Sequence, residues 1–181
     1  SLASLRRVFR SVKLEPINSD RTTVTFDLSA FTIDAVAFAQ GCAASVLTAS
    51  VADLYQGALL DGADTATPEF EHWVVQERQR LDRLAEQFIV ASSMSVLSPA
   101  DAEAALQLAR RQLAQDRILE PVYRAIMRIY HSRGERATAL KYYATCRDML
   151  NEDLNIAPDH ETEELYRDIL MDRPAAQAST G

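Results

Sequence analysis

The dipeptide Ala-Leu recurs after 34 residues in a chain made mostly of helical patterns. Ala105-Leu106 returns as Ala139-Leu140, and both copies lie in segments whose apolar residues are spaced by three and four. A helix pair of this length cannot bury its apolar face alone, because one side of the pair stays uncovered. The period therefore predicts several helix pairs stacked side by side around a continuous core.

Small and aromatic residues surround the second copy at the spacing of a tetratricopeptide repeat, whose length is also 34 residues. In that motif a small residue lies at the helix crossing, an aromatic residue follows four positions later, and a second small residue follows three beyond it. Ala139, Tyr143 and Cys146 occupy these places, and Gly134 stands at the turn, where a positive φ costs glycine little. The residues predicted to pack within the repeats are Trp73, Tyr123, Met127, Tyr130, Gly134, Ala139, Tyr143 and Cys146.

Three capping signals mark predicted helix starts. Thr67-Pro68, Ser98-Pro99 and Asp159 each place an N-cap side chain ahead of an apolar pattern. The first opens an apolar stripe that runs from Trp73 to Phe88. Tryptophan is favoured at protein interfaces, but within such a stripe it is more often a core residue, and Trp73 is assigned to the core.

The patterns predict an all-α fold. Of the 181 residues 48% are hydrophobic, which is enough for a packed core. Helices are predicted over residues 33–47, 51–60, 68–92, 99–113, 119–132, 135–152 and 159–171. We predict a tetratricopeptide-like α-α superhelix of about seven helices whose curved face binds another polypeptide.

A different pattern occupies residues 1–30. A helix end over 2–10 is followed by a predicted hairpin, with Val12 and Leu14 in one strand, a turn at 18–20, and a second strand over 24–28. Basic residues without an acidic neighbour gather here, namely Arg6, Arg7, Arg10 and Lys13. They are either DNA-phosphate contacts of a recognition helix or an ordinary solvated helix face.

Composition excludes several classes of function. The net charge of −7 makes the chain as a whole a poor binder of nucleic acid, and no apolar run is long enough to span a membrane. Cys42 and Cys146 lack a CxxC partner, and the three histidines lack ligands at metal spacing. Catalytic and nucleotide-binding motifs are absent as well. We therefore expect no enzyme activity, no metal and no cofactor.

The order of these features resembles a known family, the bacterial transcriptional activator domain of antibiotic-regulatory-type transcription factors. The segments that carry the resemblance are FTIDAVAF (31–38), LYQGALL (54–60), FEHWVVQERQRL (70–81) and the long segment 120–170. The last is the most specific, because it joins the Gly134 turn, Ala139-Leu140 and Pro158 in the family's order. The family commonly has glycine where this chain has Asn155, a residue that tolerates the left-handed conformation.

The resemblance implies a domain organisation and a function. Residues 1–30 would be the C-terminal remnant of a winged-helix DNA-binding domain lying upstream, 31–171 the tetratricopeptide-like activator domain, and 172–181 a flexible tail. The implied role is regulation of that DNA-binding domain in the cytoplasm, through a protein partner or self-association and without a membrane.

Two alternatives remain open at this level. Tetratricopeptide-type domains also serve as adaptor or signalling modules without a DNA role, and a sensor with a small molecule between its helices is a third possibility. Partner contacts are expected at the residues of the second repeat helix that packing does not consume, namely Lys141, Tyr142, Thr145 and Arg147.

Overall fold

A computed structural model describes residues 2–27, 29, 32–44, 48–63 and 67–171. Its helices are α1 (Leu2–Ser11), α2 (Asp34–Ala43), α3 (Ala49–Ala52), α4 (Pro68–Ser93), α5 (Pro99–Gln115), α6 (Glu120–Ser132), α7 (Arg136–Leu154) and α8 (His160–Leu170). Its strands are β1 (Ile17–Ser19) and β2 (Val24–Phe26), which pair antiparallel. Leu28 as a strand residue, the helix end at Leu47 and the tail 172–181 lie outside the described residues.

The helices from α2 onward form stacked pairs, as the 34-residue period predicts. Helices α2, α4, α6 and α8 contact one another in sequence order, and α3, α5 and α7 pack against this layer. Helix α6 contacts four other helices, α4, α5, α7 and α8. This all-α, superhelical arrangement confirms the predicted fold class, including the preceding helix and hairpin.

The core runs through the helix pairs as one large cluster, and a smaller cluster beside it contains Tyr123, Cys146, Met149 and Leu150. Helix α6 supplies the largest share, and Val122, Ala125, Ile126 and Met127 are fully buried. Six of the residues predicted to pack within the repeats are buried, namely Tyr123, Met127, Tyr130, Ala139, Tyr143 and Cys146. Small residues at the helix crossing let α6 and α7 approach closely, and Ala139 has no exposed surface.

Left-handed residues end two of the helices. Gly134 has φ +77°, so the turn between α6 and α7 uses the conformation that glycine adopts without strain. Asn155 has φ 54° and ψ 41° and ends α7, and the Asn155 and Ile156 N–H groups donate to carbonyls of α7. Asparagine thus fills the position at which the family commonly has glycine.

The three predicted N-caps are confirmed. The Thr67 side chain accepts a hydrogen bond from the Phe70 N–H, and Ser98 accepts one from Asp101. Asp159 accepts one from Thr162 at 2.8 Å. Each cap satisfies an N–H group that the first helical turn leaves without a partner.

The assignment of Trp73 to the core is wrong. Its side chain is 49% exposed and stacks on Phe70 with 5.7 Å between ring centroids. The buried face of α4 contains Val74, Leu81 and Ala85, and Trp73 lies about 100° around the helix from Val74. Leu81 and Phe88 of the predicted stripe are buried, so the error lies at its N-terminal end, where Val74 and not Trp73 faces the core.

The helix predicted over 51–60 is also wrong, because α3 ends at Ala52. The Arg111 guanidinium donates a 2.7 Å hydrogen bond to the carbonyl of Tyr55, which satisfies that carbonyl without a further helical turn. The Tyr55 ring is buried and its hydroxyl donates to Asp82 of α4. These contacts from α4 and α5 hold the chain in a non-helical path.

The predicted strand containing Val12 and Leu14 is shifted along the sequence. The N–H groups of Val12 and Lys13 bond back to α1, and Lys13 has φ 61°, which interrupts an extended backbone. The first strand therefore starts at Ile17. The turn moves from 18–20 to the residues after Asp20, whose carboxylate accepts hydrogen bonds from the N–H groups of Thr22 and Thr23.

Gly41 is expected to be intolerant of even a methyl group. A Cβ at this position would lie 2.7 Å from both γ-carbons of Val51, across the contact between α2 and α3. Valine is stiff at χ1, so Gly41→Ala should lower the free energy of unfolding by about 1–3 kcal/mol, despite the higher helix propensity of alanine. Urea unfolding checks this, with Gly57→Ala as control, because a Cβ there meets nothing within 4 Å. Equal stability of Gly41→Ala and the parent would contradict the close packing.

Candidate protein-interaction and nucleic-acid surfaces

The predicted DNA-contact residues lie on α1 and directly after it, and they divide into two kinds. Arg6 donates a 2.5 Å hydrogen bond to the Ser19 hydroxyl, and Arg10 forms a 3.1 Å ion pair with Glu15. Arg6 therefore contacts the hairpin and Arg10 contacts the segment just before it. Arg7 and Lys13 are left exposed to solvent.

The hairpin is fixed to α1 by an aromatic contact. The rings of Phe9 and Phe26 meet edge to face with centroids 6.1 Å apart. At the tip, hydrogen bonds from the Thr22 and Thr23 N–H groups hold the pKa of the Asp20 carboxyl well below its usual range. The turn therefore keeps a charged carboxylate at the end of the hairpin.

The four predicted partner-binding residues do not share one surface of α7. Lys141 and Thr145 are exposed and one turn apart, and the Thr145 hydroxyl donates to the Lys141 carbonyl at 3.1 Å. Arg147 lies about 160° around the helix from Thr145 and pairs with Asp148 at 2.7 Å. Tyr142 is half-buried and stacks on Tyr130, with centroids 5.5 Å apart. Tyr142 is thus partly used in packing between helices.

A polar cluster around Tyr130 joins α5, α6 and the turn before α7. Arg110 donates a 2.6 Å hydrogen bond to the Tyr130 hydroxyl, and the Arg133 guanidinium lies 5.9 Å from the centroid of the same ring. Glu103 lies within 3.4 Å of Arg110 and 3.6 Å of Arg133. The cluster was not predicted, since its members come from separate helices and share no local spacing.

A second polar cluster, centred on Arg124, joins α6 to α8. Arg124 is 8% exposed, and its guanidinium lies 2.7 Å from Asp159 and 3.0 Å from Glu161 and from the Thr162 hydroxyl. The Glu120 carboxylate accepts the Asp159 N–H at 2.7 Å. These bonds place the N-terminus of α8 against the first two turns of α6.

Tyrosine and arginine hold the rest of α8. The rings of Tyr143 and Tyr166 stack with their centroids 3.9 Å apart, and burial together with a hydrogen bond to Glu163 raises the pKa of Tyr143 to about 12. Arg136 donates a 2.8 Å hydrogen bond to the carbonyl of Ile169. Helix α8 is therefore fixed at both ends and along its length.

Several clefts open between the helices. One of them, of about 530 Å³, lies near the C-terminal end of α4 and the turn before α5, and it is lined by Cys42, Leu84, Gln87, Phe88, Ala91, Ser92, Ser95, Val96, Leu97 and Asp101. Burial raises the pKa of the Cys42 thiol to about 11, so it is protonated and weakly nucleophilic at neutral pH.

Metal-binding groups and membrane-spanning helices are the two remaining classes of site. Within the described ranges, no group of three or more His, Cys, Asp or Glu side chains is arranged to hold a metal ion. None of the described helices is both long and apolar enough to cross a membrane. The described residues form ion pairs, stacked tyrosines and exposed charged faces. Such features serve helix packing and the recognition of other molecules at the surface.

Comparison with known proteins identifies the helical part. The family model of the bacterial transcriptional activator domain matches residues 32–170, which covers α2 to α8. No curated protein and no solved structure matches the chain at a significant level. The match covers most of the 181 residues and coincides with the stacked helix pairs. The chain therefore belongs to the bacterial transcriptional activator domain family.

Proposed function

We propose that this chain is the regulatory, protein-interaction domain of a bacterial DNA-binding transcriptional regulator, and that it controls the assembly or activity of an adjoining winged-helix domain. The observation that carries the proposal is the family match over residues 32–170. The matched segment comes directly after a basic helix and a hairpin, which are the elements that end a winged helix. The helical part performs no chemistry in this proposal and needs no cofactor.

The DNA-facing part of the proposal rests on α1 and the hairpin. Arg6 and Arg10 contact Ser19 and Glu15 and so position the hairpin relative to the helix. Arg7 and Lys13 stay available for phosphate oxygens, which fix the register of a protein on duplex DNA. Since the chain carries a net charge of −7, we expect its DNA contacts to be confined to this basic end.

The helical part acts in this proposal as an assembly surface. Stacked helix pairs present long curved faces, and such faces bind other polypeptides. A protein partner or a second copy of the chain bound there would set the spacing or availability of the winged helices. We place the protein in the cytoplasm, where a bacterial transcription factor meets its promoter.

A chain extended upstream by the winged helix is expected to bind a duplex promoter fragment with strong salt dependence. The logarithm of the association constant should fall linearly with the logarithm of salt concentration, with a slope of about −0.9 for each phosphate neutralised. Replacing the exposed Arg7 by glutamine should reduce the magnitude of that slope by about 1. Fluorescence anisotropy over a series of salt concentrations measures both quantities.

The matched control is Arg147→Gln, which removes an exposed arginine from α7 and should leave the slope unchanged. If the extended chain does not bind the promoter fragment, or binds it without salt dependence, the DNA role is contradicted and an adaptor or signalling module is favoured. An upstream sequence without two further amphipathic helices and basic residues would contradict the DNA role as well.

A further inference from the structure

One side of helix α6 is basic, because Arg124 and Arg128 lie one turn apart along it. The helix packs against α4, α5, α7 and α8. Arg124 is 8% exposed and faces the N-terminus of α8, whereas Arg128 is half-buried. The surface of α6 that contains these two arginines is called the α6 arginine face below.

The two arginines differ in their partners. Arg124 is surrounded by Asp159, Glu161 and the Thr162 hydroxyl, so its charge is compensated. Arg128 is half-buried and makes no hydrogen bond or ion pair with any residue that the structure describes. A partly desolvated guanidinium beside a second cation is electrostatically unfavourable, and an anion supplied by another molecule would compensate it.

The electrostatics of Arg128 agree with this geometry. Burial lowers the pKa of Arg128, the neighbouring charge of Arg124 lowers it further, and Glu161 only partly opposes both. Arginine remains charged in proteins, so the shift reports a cation in an environment that disfavours it. An anion that reached Arg128 would relieve both effects.

We infer that the α6 arginine face is a docking site for a partner polypeptide and that Arg128 binds an acidic side chain of that partner. The planar guanidinium fork matches a carboxylate with two parallel hydrogen bonds. This inference deepens the proposed protein-interaction role of the helical domain and rests on it.

Acidic residues at the start of α8 argue for a polypeptide and against nucleic acid. Glu161, whose charge acts on Arg128, is 72% exposed at its side chain, and Asp159, the partner of Arg124, is 49% exposed. A row of phosphates would be repelled by these carboxylates, whereas a single acidic side chain brings only one negative charge to Arg128. Glu161 would in addition favour a basic residue next to the acidic one.

Selection of random twelve-residue peptides on the 181-residue chain tests the inference directly. Enriched peptides should share an Asp or Glu at one position, and alanine there should weaken binding at least about tenfold. Arg128→Gln should lose a similar factor, while Arg83→Gln, which removes an exposed arginine of α4, should bind within about twofold of the parent. Peptides without an acidic position, or equal affinity for Arg128→Gln, would overturn the inference. Competition by duplex DNA at equal strength would overturn it in favour of nucleic acid.

Thermal unfolding supplies a second readout that needs no peptide. Since Arg128 has no hydrogen-bond or ion-pair partner among the described residues, Arg128→Met should unfold at the same temperature as the parent or a higher one. A clear fall in the melting temperature would mean that internal contacts hold Arg128, and the docking role would be lost. Because neither test involves the winged helix, a failure of DNA binding by the extended chain would leave this inference intact.

Discussion

Replacing Met127 by alanine is expected to lower the free energy of unfolding by about 2–5 kcal/mol. The side chain is fully buried in α6, the helix that contacts α4, α5, α7 and α8, so a cavity here cannot close by moving one neighbour. Urea unfolding followed by circular dichroism measures the effect. The urea concentration at the unfolding midpoint should fall. The slope of the free energy of unfolding against urea concentration should stay unchanged, as expected for a change in stability alone.

Trp73→Ala is the informative comparison, because tryptophan is the larger residue and the sequence stripe placed it in the core. At 49% exposure, and in contact with the ring of Phe70, it should cost no more than about 1 kcal/mol. If Trp73→Ala destabilises the chain as much as Met127→Ala, the packing of α4 described above is incorrect.

The parts of the fold that the sequence predicted are those in which two local signals agree. Helix α4 begins where Thr67 caps and Pro68 opens an apolar pattern, and α8 begins where Asp159 does the same. Gly134 was predictable because few residues other than glycine adopt φ +77°. In each case the physical cause lies within a few residues of the position it controls.

The errors occur where distant residues decide the conformation. Helix α3 ends at Ala52 because Arg111 bonds to the Tyr55 carbonyl from 56 residues away. Trp73 and Val74 are adjacent in sequence, and only the helices packed against α4 determine which of them faces the core. Apolar spacing locates a helical stripe to within about one residue, which is too coarse to choose between neighbours 100° apart.

The functional surfaces were the least predictable part. Lys141, Tyr142, Thr145 and Arg147 were selected as residues that packing leaves over, yet Tyr142 stacks on Tyr130 and Arg147 lies on another side of α7. The sequence of helix α6, by contrast, predicts a core helix. Arg124 has ion-pair partners only because α8 packs beside it, and Arg128 has none among the described residues. An unpaired charge can be recognised only when all its possible partners have been placed.

Asp159→Ala is expected to lower the free energy of unfolding by about 2–4 kcal/mol, because this carboxylate has two roles. It caps α8 through the Thr162 N–H, and it lies 2.7 Å from the Arg124 guanidinium, which is 8% exposed. Asp159→Asn keeps an oxygen for the cap but removes the charge, so it should cost about 1–2 kcal/mol at neutral pH. Urea unfolding of both variants measures the two contributions.

The cost of Asp159→Asn should also depend on pH in one direction. Burial raises the pKa of Asp159, but hydrogen bonds from Thr162 and Arg124 outweigh it and hold the pKa below its usual value. The stabilisation is therefore fully present above the unfolded-state pKa of about 3.9 and is lost as the pH falls through the lower pKa of the folded state. The unfolding midpoints of Asp159→Asn and the parent should differ at pH 7 and approach each other as the pH falls below about 4. A difference that stays constant down to pH 3 would mean that the cap alone, and not the charge on Arg124, holds α8 in place.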